Sequence, residues 1–420
     1  MKKIKLGDYI KTLTDYHSGG SYKTLKENTK ILYEPDYAVM IRTLNFERND
    51  FEKDLIYCDK KSYDFLEYSH VQENDILMNK IANPGSVYIM PQVNYNVTCG
   101  MNLFLLRFKN IDQRYMFYVM KYNEQYIKSK AHGTTTKTIT KEEVRNLYFK
   151  VHETPKLQKK VSNLLTNIDY KIENNNKINS ELEQLGKIIY NYWFLQFEFP
   201  DEKGRPYKSS GGKMEWNKIL KRKIPEGWEV KTLDDISDQV NGFAFSSDDY
   251  VENGKYKLYT IKNVQDGAII SKVDNYINEL SSRMNFECLL SPNDIIMSLT
   301  GNVGRSGLVY EKNALLNQRV LKLKEKSVSK EFLYFLLRNE FMKLQIEKIA
   351  AGTSQKNLSP VELGKIKVLI PSKEILNKFN KITNNFTNLL VANYQENEEL
   401  KSLHEFLLPL LMNGKITFKN

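Results

Sequence analysis

Asn317-Gln318-Arg319 sets two side-chain amides and a guanidinium side by side. A bidentate amide matches the edge of adenine and a guanidinium that of guanine, so this run holds the groups needed to read bases in a DNA groove. Gly352-Thr353-Ser354-Gln355-Lys356 puts hydroxyls, an amide and an ammonium on a glycine turn, and Gly133-Thr134-Thr135-Thr136-Lys137 does much the same earlier in the chain. Such turns donate to phosphate oxygens or base edges. Asn83-Pro84-Gly85 and Asn302-Val303-Gly304-Arg305 place polar groups beside a glycine, where backbone can approach a ligand closely. Arg42, Lys80 and Lys262 add cations in the same regions. Taken singly, each run is a hydrophilic loop. As a set that occurs twice in a chain of formal net charge +11, they point to nucleic acid.

Catalytic chemistry is much less visible. Gly301-Asn302-Val303-Gly304-Arg305-Ser306-Gly307 is glycine-rich but lacks the Lys-Ser/Thr of a phosphate loop, which argues against an ATP site. The Asn/Asp-Pro-Pro-Phe/Tyr tetrapeptide of amino-methyltransferases does not occur. Five histidines show no metal spacing, and Cys58, Cys99 and Cys288 form no CxxC pair, so neither a structural zinc nor a disulfide framework is expected. Pro35-Asp36 followed by Asp59-Lys60-Lys61 fits a loose nuclease pattern. The second half has no equivalent, and a duplicated chain without a duplicated catalytic set reads better as a recognition protein than as an enzyme. Two competing readings remain: a magnesium-dependent nuclease using Asp36, Asp59 and Lys61, and a coiled-coil scaffold that binds only proteins. Hydrophobic residues make up 41% and charged residues 27%, ordinary for a globular protein. No run approaches the length of a membrane span, and the N-terminal MKKIKLGDYI lacks an apolar signal core, so a cytoplasmic chain without a membrane partner is expected.

The elements that would carry these runs come in duplicate. Asn74-Asp75-Ile76-Leu77-Met78 recurs as Asn293-Asp294-Ile295-Ile296-Met297, and the Asn83 and Gly133 runs recur as the Asn302 and Gly352 runs at the same offset. In each half, short β-branched and aromatic strands precede a helix (114–128 and 330–349). A capping box follows, Thr140 with Glu143 and Ser359 with Glu362, then a strand (147–151 and 366–370) and a closing Pro. Residues 195–227 are rich in Gly, Pro and Ser after an aromatic start and read as a linker or surface loop, with Trp216 and Trp228 near its end.

Each half then enters a long helix. Val161, Leu165, Ile168, Ile172, Asn175, Asn179, Leu182, Gly186, Ile189 and Trp193 alternate steps of four and three, the seam of a coiled coil. Phe379, Thr383, Phe386, Leu390, Asn393, Asn397, Leu400, His404, Leu407 and Leu411 repeat the pattern, with Asn at the same two positions. A seam Asn fixes register, because a shifted partner leaves its amide unpaired. Antiparallel pairing sets Asn175 opposite Asn397 and Asn179 opposite Asn393; parallel pairing sets Asn175 beside Asn393. The seam alone does not choose.

Gly242-Phe243-Ala244-Phe245, Thr300-Gly301-Asn302-Val303-Gly304, Asn317-Gln318-Arg319-Val320, Gly352-Thr353-Ser354-Gln355-Lys356-Asn357-Leu358-Ser359 and the 192–206 stretch together resemble the specificity subunits of type I restriction–modification enzymes. The first half departs from the family wording at Asn83-Pro84-Gly85 and Gly133–Lys137. The resemblance implies an α+β chain with two α/β target recognition domains (1–154 and 228–371). Two conserved helices (155–194 and 372–420, the latter with the tail) form an antiparallel coiled coil, and 195–227 links the halves. It implies recognition of a split, asymmetric site in double-stranded DNA. The expected partners are two modification subunits, which supply S-adenosylmethionine, and restriction subunits, which use ATP and magnesium. No cofactor and no catalytic residue is expected in this chain.

Overall fold

A computed structural model describes every residue except Thr135, Ala268, residues 351–356, Thr417, Lys419 and Asn420. Four candidate contacts, Thr135, Thr353, Gln355 and Lys356, therefore lie outside the described residues. The chain divides into two compact units, Met1–Tyr170 with Lys401–Asn420, and Lys171–Leu400. The long helices Pro155–Tyr190 and Lys373–Met412 each contribute a segment to both.

In the first unit a four-stranded antiparallel sheet runs in the order Ile10–Asp15, Leu103–Phe108, Ile76–Asn79, Val87–Ile89. Its central strands are apolar without alternation because both faces are buried. Phe104, Leu106 and Phe108 enter one core with Tyr115, Met116 and Val119 of the helix Gln113–Tyr122, while Leu103 and Leu105 enter a second core with Val97 and Cys99. A five-stranded sheet lies behind that second core, in the order Ile31–Leu32, Tyr57–Cys58, Ala38–Ile41, Asn96–Cys99, His70–Val71. Only Ala38–Ile41 and Asn96–Cys99 pair in parallel. The strand Lys2–Lys5 pairs with Tyr148–Val151.

The second unit repeats this plan. Its four-stranded sheet runs Ser237–Asn241, Val320–Glu325, Ile295–Ser298, Ser306–Leu308. Its other sheet runs Tyr276–Ile277, Tyr256–Tyr259, Ala314–Leu316, Leu289–Leu290, again with one parallel pair, Tyr256–Tyr259 with Ala314–Leu316. Glu229–Thr232 pairs with Lys367–Ile370. The repeated Asn-Asp-Ile run has a local cause. Asn74 and Asn293 sit in the left-handed region (φ 67° and 73°), which Asn tolerates better than most residues. Their backbone N–H groups donate to Met90 O at 2.9 Å and Val309 O at 2.7 Å. Asp75 then accepts from Gln72 N at 2.7 Å and pairs with Arg107, as Asp294 accepts from Ser291 N at 2.8 Å and pairs with Lys322.

Three expectations need correction. The helices read as 114–128 and 330–349 are each broken, into Gln113–Tyr122 and Glu124–Lys128, and into Lys330–Arg338 and Glu340–Ala350. Asn stands at both breaks. Asn123 Nδ2 donates to Val119 O at 2.7 Å and Asn339 Oδ1 accepts from Met342 N at 2.8 Å, so each amide competes with the helical ladder. The Thr140–Glu143 box forms, but Ser359 makes no side-chain cap, and the Glu362 carboxylate accepts instead from Lys365 Nζ at 2.6 Å. The stretch 195–227, read as a linker or surface loop, carries an antiparallel hairpin, Met214–Asn217 with Arg222–Pro225, and its Phe197 and Phe199 are buried with the flanking Trp228 in the core of the second unit.

The long helices run antiparallel within each unit. In the second, Asn175 Nδ2 donates to Asn397 Oδ1 at 3.0 Å and Asn393 Nδ2 to Asn179 Oδ1 at 2.8 Å, all four residues buried. In the first, Val161 and Leu165 share a core with Leu411, and His404 faces Asp169 at 3.5 Å. In the second unit the helix Lys330–Arg338 docks on the first long helix. A Cβ on Gly186 would lie 2.1 Å from the Phe335 ring, so only glycine admits that ring, and the buried Arg338 pairs with Glu183 at 3.0 Å.

Candidate nucleic-acid interface

In the first unit, backbone hydrogen bonds gather four separate segments. Ala82 N donates to Lys137 O at 3.0 Å, Ile139 N to Lys80 O at 3.1 Å, Lys80 N to Asn102 O at 2.9 Å, and Gly100 N to Ile41 O at 2.9 Å. The last approach requires glycine, because a Cβ on Gly100 would lie 2.4 Å from Ile41 O. This brings the Asn83 loop and the Thr134–Lys137 turn, read separately in the sequence, onto one surface. Asn83, Thr134 and Lys137 are exposed there. Arg42 lies at its edge, half-buried, with Nη2 donating to Asp54 O at 2.5 Å.

Lys80 departs from its expected role. It is 7% exposed and its ammonium is held by Asp15 at 2.5 Å, so it braces the loop from inside instead of facing a ligand. Lys141 reaches the other oxygen of Asp15 at 2.7 Å. Burial works against a charged Asp15, but the hydrogen bonds from Lys141 and Lys80 outweigh it and hold the carboxyl below its ordinary value. His17, 3.2 Å from Lys80 Nζ, is pushed the same way by burial and by the ammonium beside it.

The second unit builds the matching surface. Leu299 N donates to Arg319 O at 2.9 Å, Leu358 N to Leu299 O at 2.8 Å, and Gln318 N to Phe243 O at 2.9 Å. The glycine of the Gly242-Phe243-Ala244-Phe245 run has a plain reason: a Cβ there would lie 1.9 Å from Asn317 O. Asn317 is buried and its Oδ1 accepts from Gln318 N at 2.9 Å, so it shapes the turn. Gln318 and Arg319 are exposed at the tip, and Arg319 holds a left-handed φ of 67° that is costly for a long side chain. Beside them, the Asn302 side-chain amide lies 3.2 Å from the Arg305 guanidinium, and Arg305 Nη1 donates to Gln265 Oε1 at 2.5 Å. Lys262 is exposed and pairs with Asp274 at 2.8 Å, a surface pair of small energetic weight.

Sequence reasoning missed Met101 and Asn102. They form the exposed turn that supports Lys80 as Arg319 supports Leu299, yet their types share nothing with Gln318-Arg319, and only the hydrogen-bond pattern equates them. Two residues of the nuclease reading, Asp36 and Asp59, have structural work. Asp59 caps the helix Lys60–Phe65 through Ser62 N at 2.8 Å, and Asp36 accepts from Tyr37 N at 2.6 Å. Among the described residues no three His, Cys, Asp or Glu gather as a metal site, and no helix is long and apolar enough to cross a membrane.

Two loop clusters on one repeated plan have their parallel in a known family. The type I restriction modification DNA specificity domain matches this chain twice, over residues 3–184 and 225–402. The chain belongs to the type I restriction–modification DNA specificity family. The MjaVIII specificity subunit of Methanocaldococcus jannaschii is 27% identical over 361 residues, covering 83% of this chain and 81% of its own. The HindI specificity subunit of Haemophilus influenzae is 23% identical over 394 residues, covering 82% and 83%. A crystal structure of the S subunit of a type I restriction–modification system from M. genitalium aligns over 98% of this chain and 95% of its own, with a TM-score of 0.60. At 17% identity that likeness is one of fold. As a specificity chain, the protein supplies the DNA recognition of a type I system. The two family matches coincide with the two hydrogen-bonded loop clusters, one in each.

Proposed function

We propose that each unit reads one half of a split, asymmetric DNA site and that the chain positions methyltransferase and restriction subunits on that DNA. The reading rests on one observation: the two loop clusters share backbone hydrogen bonds but differ in side chains. The first offers Asn83, Thr134 and Lys137; the second offers Gln318, Arg319 and Asn302. A common scaffold with unlike polar tips is what two different half-sites require. The chain itself is a non-catalytic reader. Two modification subunits bring S-adenosylmethionine and methylate adenine, and restriction subunits bring ATP- and magnesium-dependent cleavage. Exposed apolar side chains on the second long helix, Leu403 and Phe406 among them, support a protein-docking role for the helices.

Mapping methylated adenines in a host that carries the chain with its methyltransferase, against one that lacks the chain, tests this reading. A bipartite motif that appears only with the chain is expected. Methylation that is unchanged by the chain, or magnesium-dependent cutting by the isolated chain, would refute it.

A further inference from the structure

Residues 214–225 form a two-stranded antiparallel ribbon, Met214–Asn217 against Arg222–Pro225, that has no counterpart among the described residues of the first unit. All but its last residue falls in the interval between the two family matches. One edge is anchored. Ile224 is fully buried, the Arg222 guanidinium lies 5.2 Å over the Phe197 ring, and Tyr207 donates to Lys213 O at 2.8 Å. The tip is held by Asn217, whose Oδ1 accepts from Ile219 N at 3.0 Å and Leu220 N at 2.9 Å.

The other face is open. Trp216 is 62% exposed, and its cross-strand neighbour is Lys223. Lys218, Lys221 and Lys223 are exposed, and none of their ammonium groups has a hydrogen bond or ion pair among the described residues. Positions 218–223 hold four Lys or Arg and no carboxylate, while the nearby Arg205 and Lys213 are already paired with Asp201 and Glu226. Like charges fixed on a stiff ribbon repel and give the fold nothing. Protein interfaces are depleted in lysine, so this density fits a polyanion better than a protein surface. The ribbon also stands apart from the base-reading turn. It joins the fold through Glu229–Thr232 and Leu233–Ile236, ahead of the strand Ser237–Asn241, whose far end leads into Gly242 and the Asn317 turn.

We propose that this ribbon is a second, sequence-independent contact with duplex DNA, in which Lys218, Lys221 and Lys223 neutralise phosphates and the Trp216 indole lies against the backbone sugars. The proposal rests on the DNA reading above for its ligand and on the ribbon alone for its site.

Trp193 and Trp228 are buried, so Trp216 is the exposed emitter of the three tryptophans. Titrating the full chain with duplexes that lack any preferred motif should quench its fluorescence, and Trp216→Phe should remove that change. The triple variant Lys218→Gln, Lys221→Gln, Lys223→Gln should lower the slope of log affinity against log salt by about 3, on every duplex alike and with sequence preference unaltered. Arg319→Ala is the control: it should alter sequence preference and leave the Trp216 signal intact. An unquenched Trp216 with an unchanged salt slope would overturn the ribbon proposal while leaving base reading in place. A triple variant that binds DNA normally but no longer associates with modification subunits would overturn it too, and make the ribbon a protein dock. A wild-type chain that binds no duplex would remove both readings together.

Discussion

Asn393 donates its amide to Asn179 across the helix seam at 2.8 Å, with both side chains buried. The cost of such a pair and its use come from the same physics. Replacing Asn179 alone with Ala leaves a buried amide unpaired and should destabilise the second unit by about 1 to 3 kcal/mol. Replacing both with Leu should be neutral or stabilising, while register becomes less well specified. Urea unfolding followed by tryptophan fluorescence reports on this unit, since Trp193, Trp216 and Trp228 all lie within it. A single variant as stable as wild type would show that the pair is not closed in solution.

Gly242 is expected to be intolerant of even one methyl group. The Cβ of Gly242→Ala would lie 1.9 Å from Asn317 O, so the turn bearing Gln318 and Arg319 must move. Base recognition by the second unit should fall by tenfold or more, about 1.4 kcal/mol, and the unfolding midpoint should fall with it, because the clash is with backbone. DNA affinity and midpoint measured on the same preparation decide this; unchanged affinity would detach Gly242 from the reading turn.

Asp15 makes the first unit acid-sensitive. Its carboxyl is held below its ordinary value by Lys141 and Lys80 against the effect of burial. A depressed folded value means stability that is present above the unfolded value, near 3.9, and lost as pH falls through the folded one. Asp15→Asn should remove this acid-side loss and cost about 3 kcal/mol at neutral pH, because Lys80 is left buried without its partner. Hydrogen exchange in the strands Ile76–Asn79 and Leu103–Phe108, followed from pH 6 to pH 3, reads the first unit alone. Equal acid dependence in wild type and variant would contradict the assignment.

Much of this architecture is legible in residue spacing. The Asn-Asp-Ile run marks the repeat because a left-handed Asn and a strand-bracing Asp are needed at the same point in each half. The paired Asn positions mark the seam because the antiparallel register brings the four buried Asn residues together as two cross-helix pairs, Asn175 with Asn397 and Asn179 with Asn393. Inward or outward direction is less visible. Lys80 looks like a contact until Asp15, 65 positions away in sequence, is seen to claim it. Asn102 carries no signal at all, since a turn that acts through its backbone leaves residue type nearly free. The Gly and Pro residues of 195–227 suggest an open linker, but the aromatics among them bury and the ribbon pairs, which local composition does not reveal.

The central claim is that each unit reads its own half of the DNA site. Sequence preference measured on randomised duplexes, with the full chain and its methyltransferase, tests it most directly. Gln318→Ala with Arg319→Ala should relax one half of the motif by about 1 to 3 kcal/mol per lost base contact and leave the other half intact, whereas Asn83→Ala with Lys137→Ala should do the reverse. Variants that weaken both halves equally, or neither, would contradict the account.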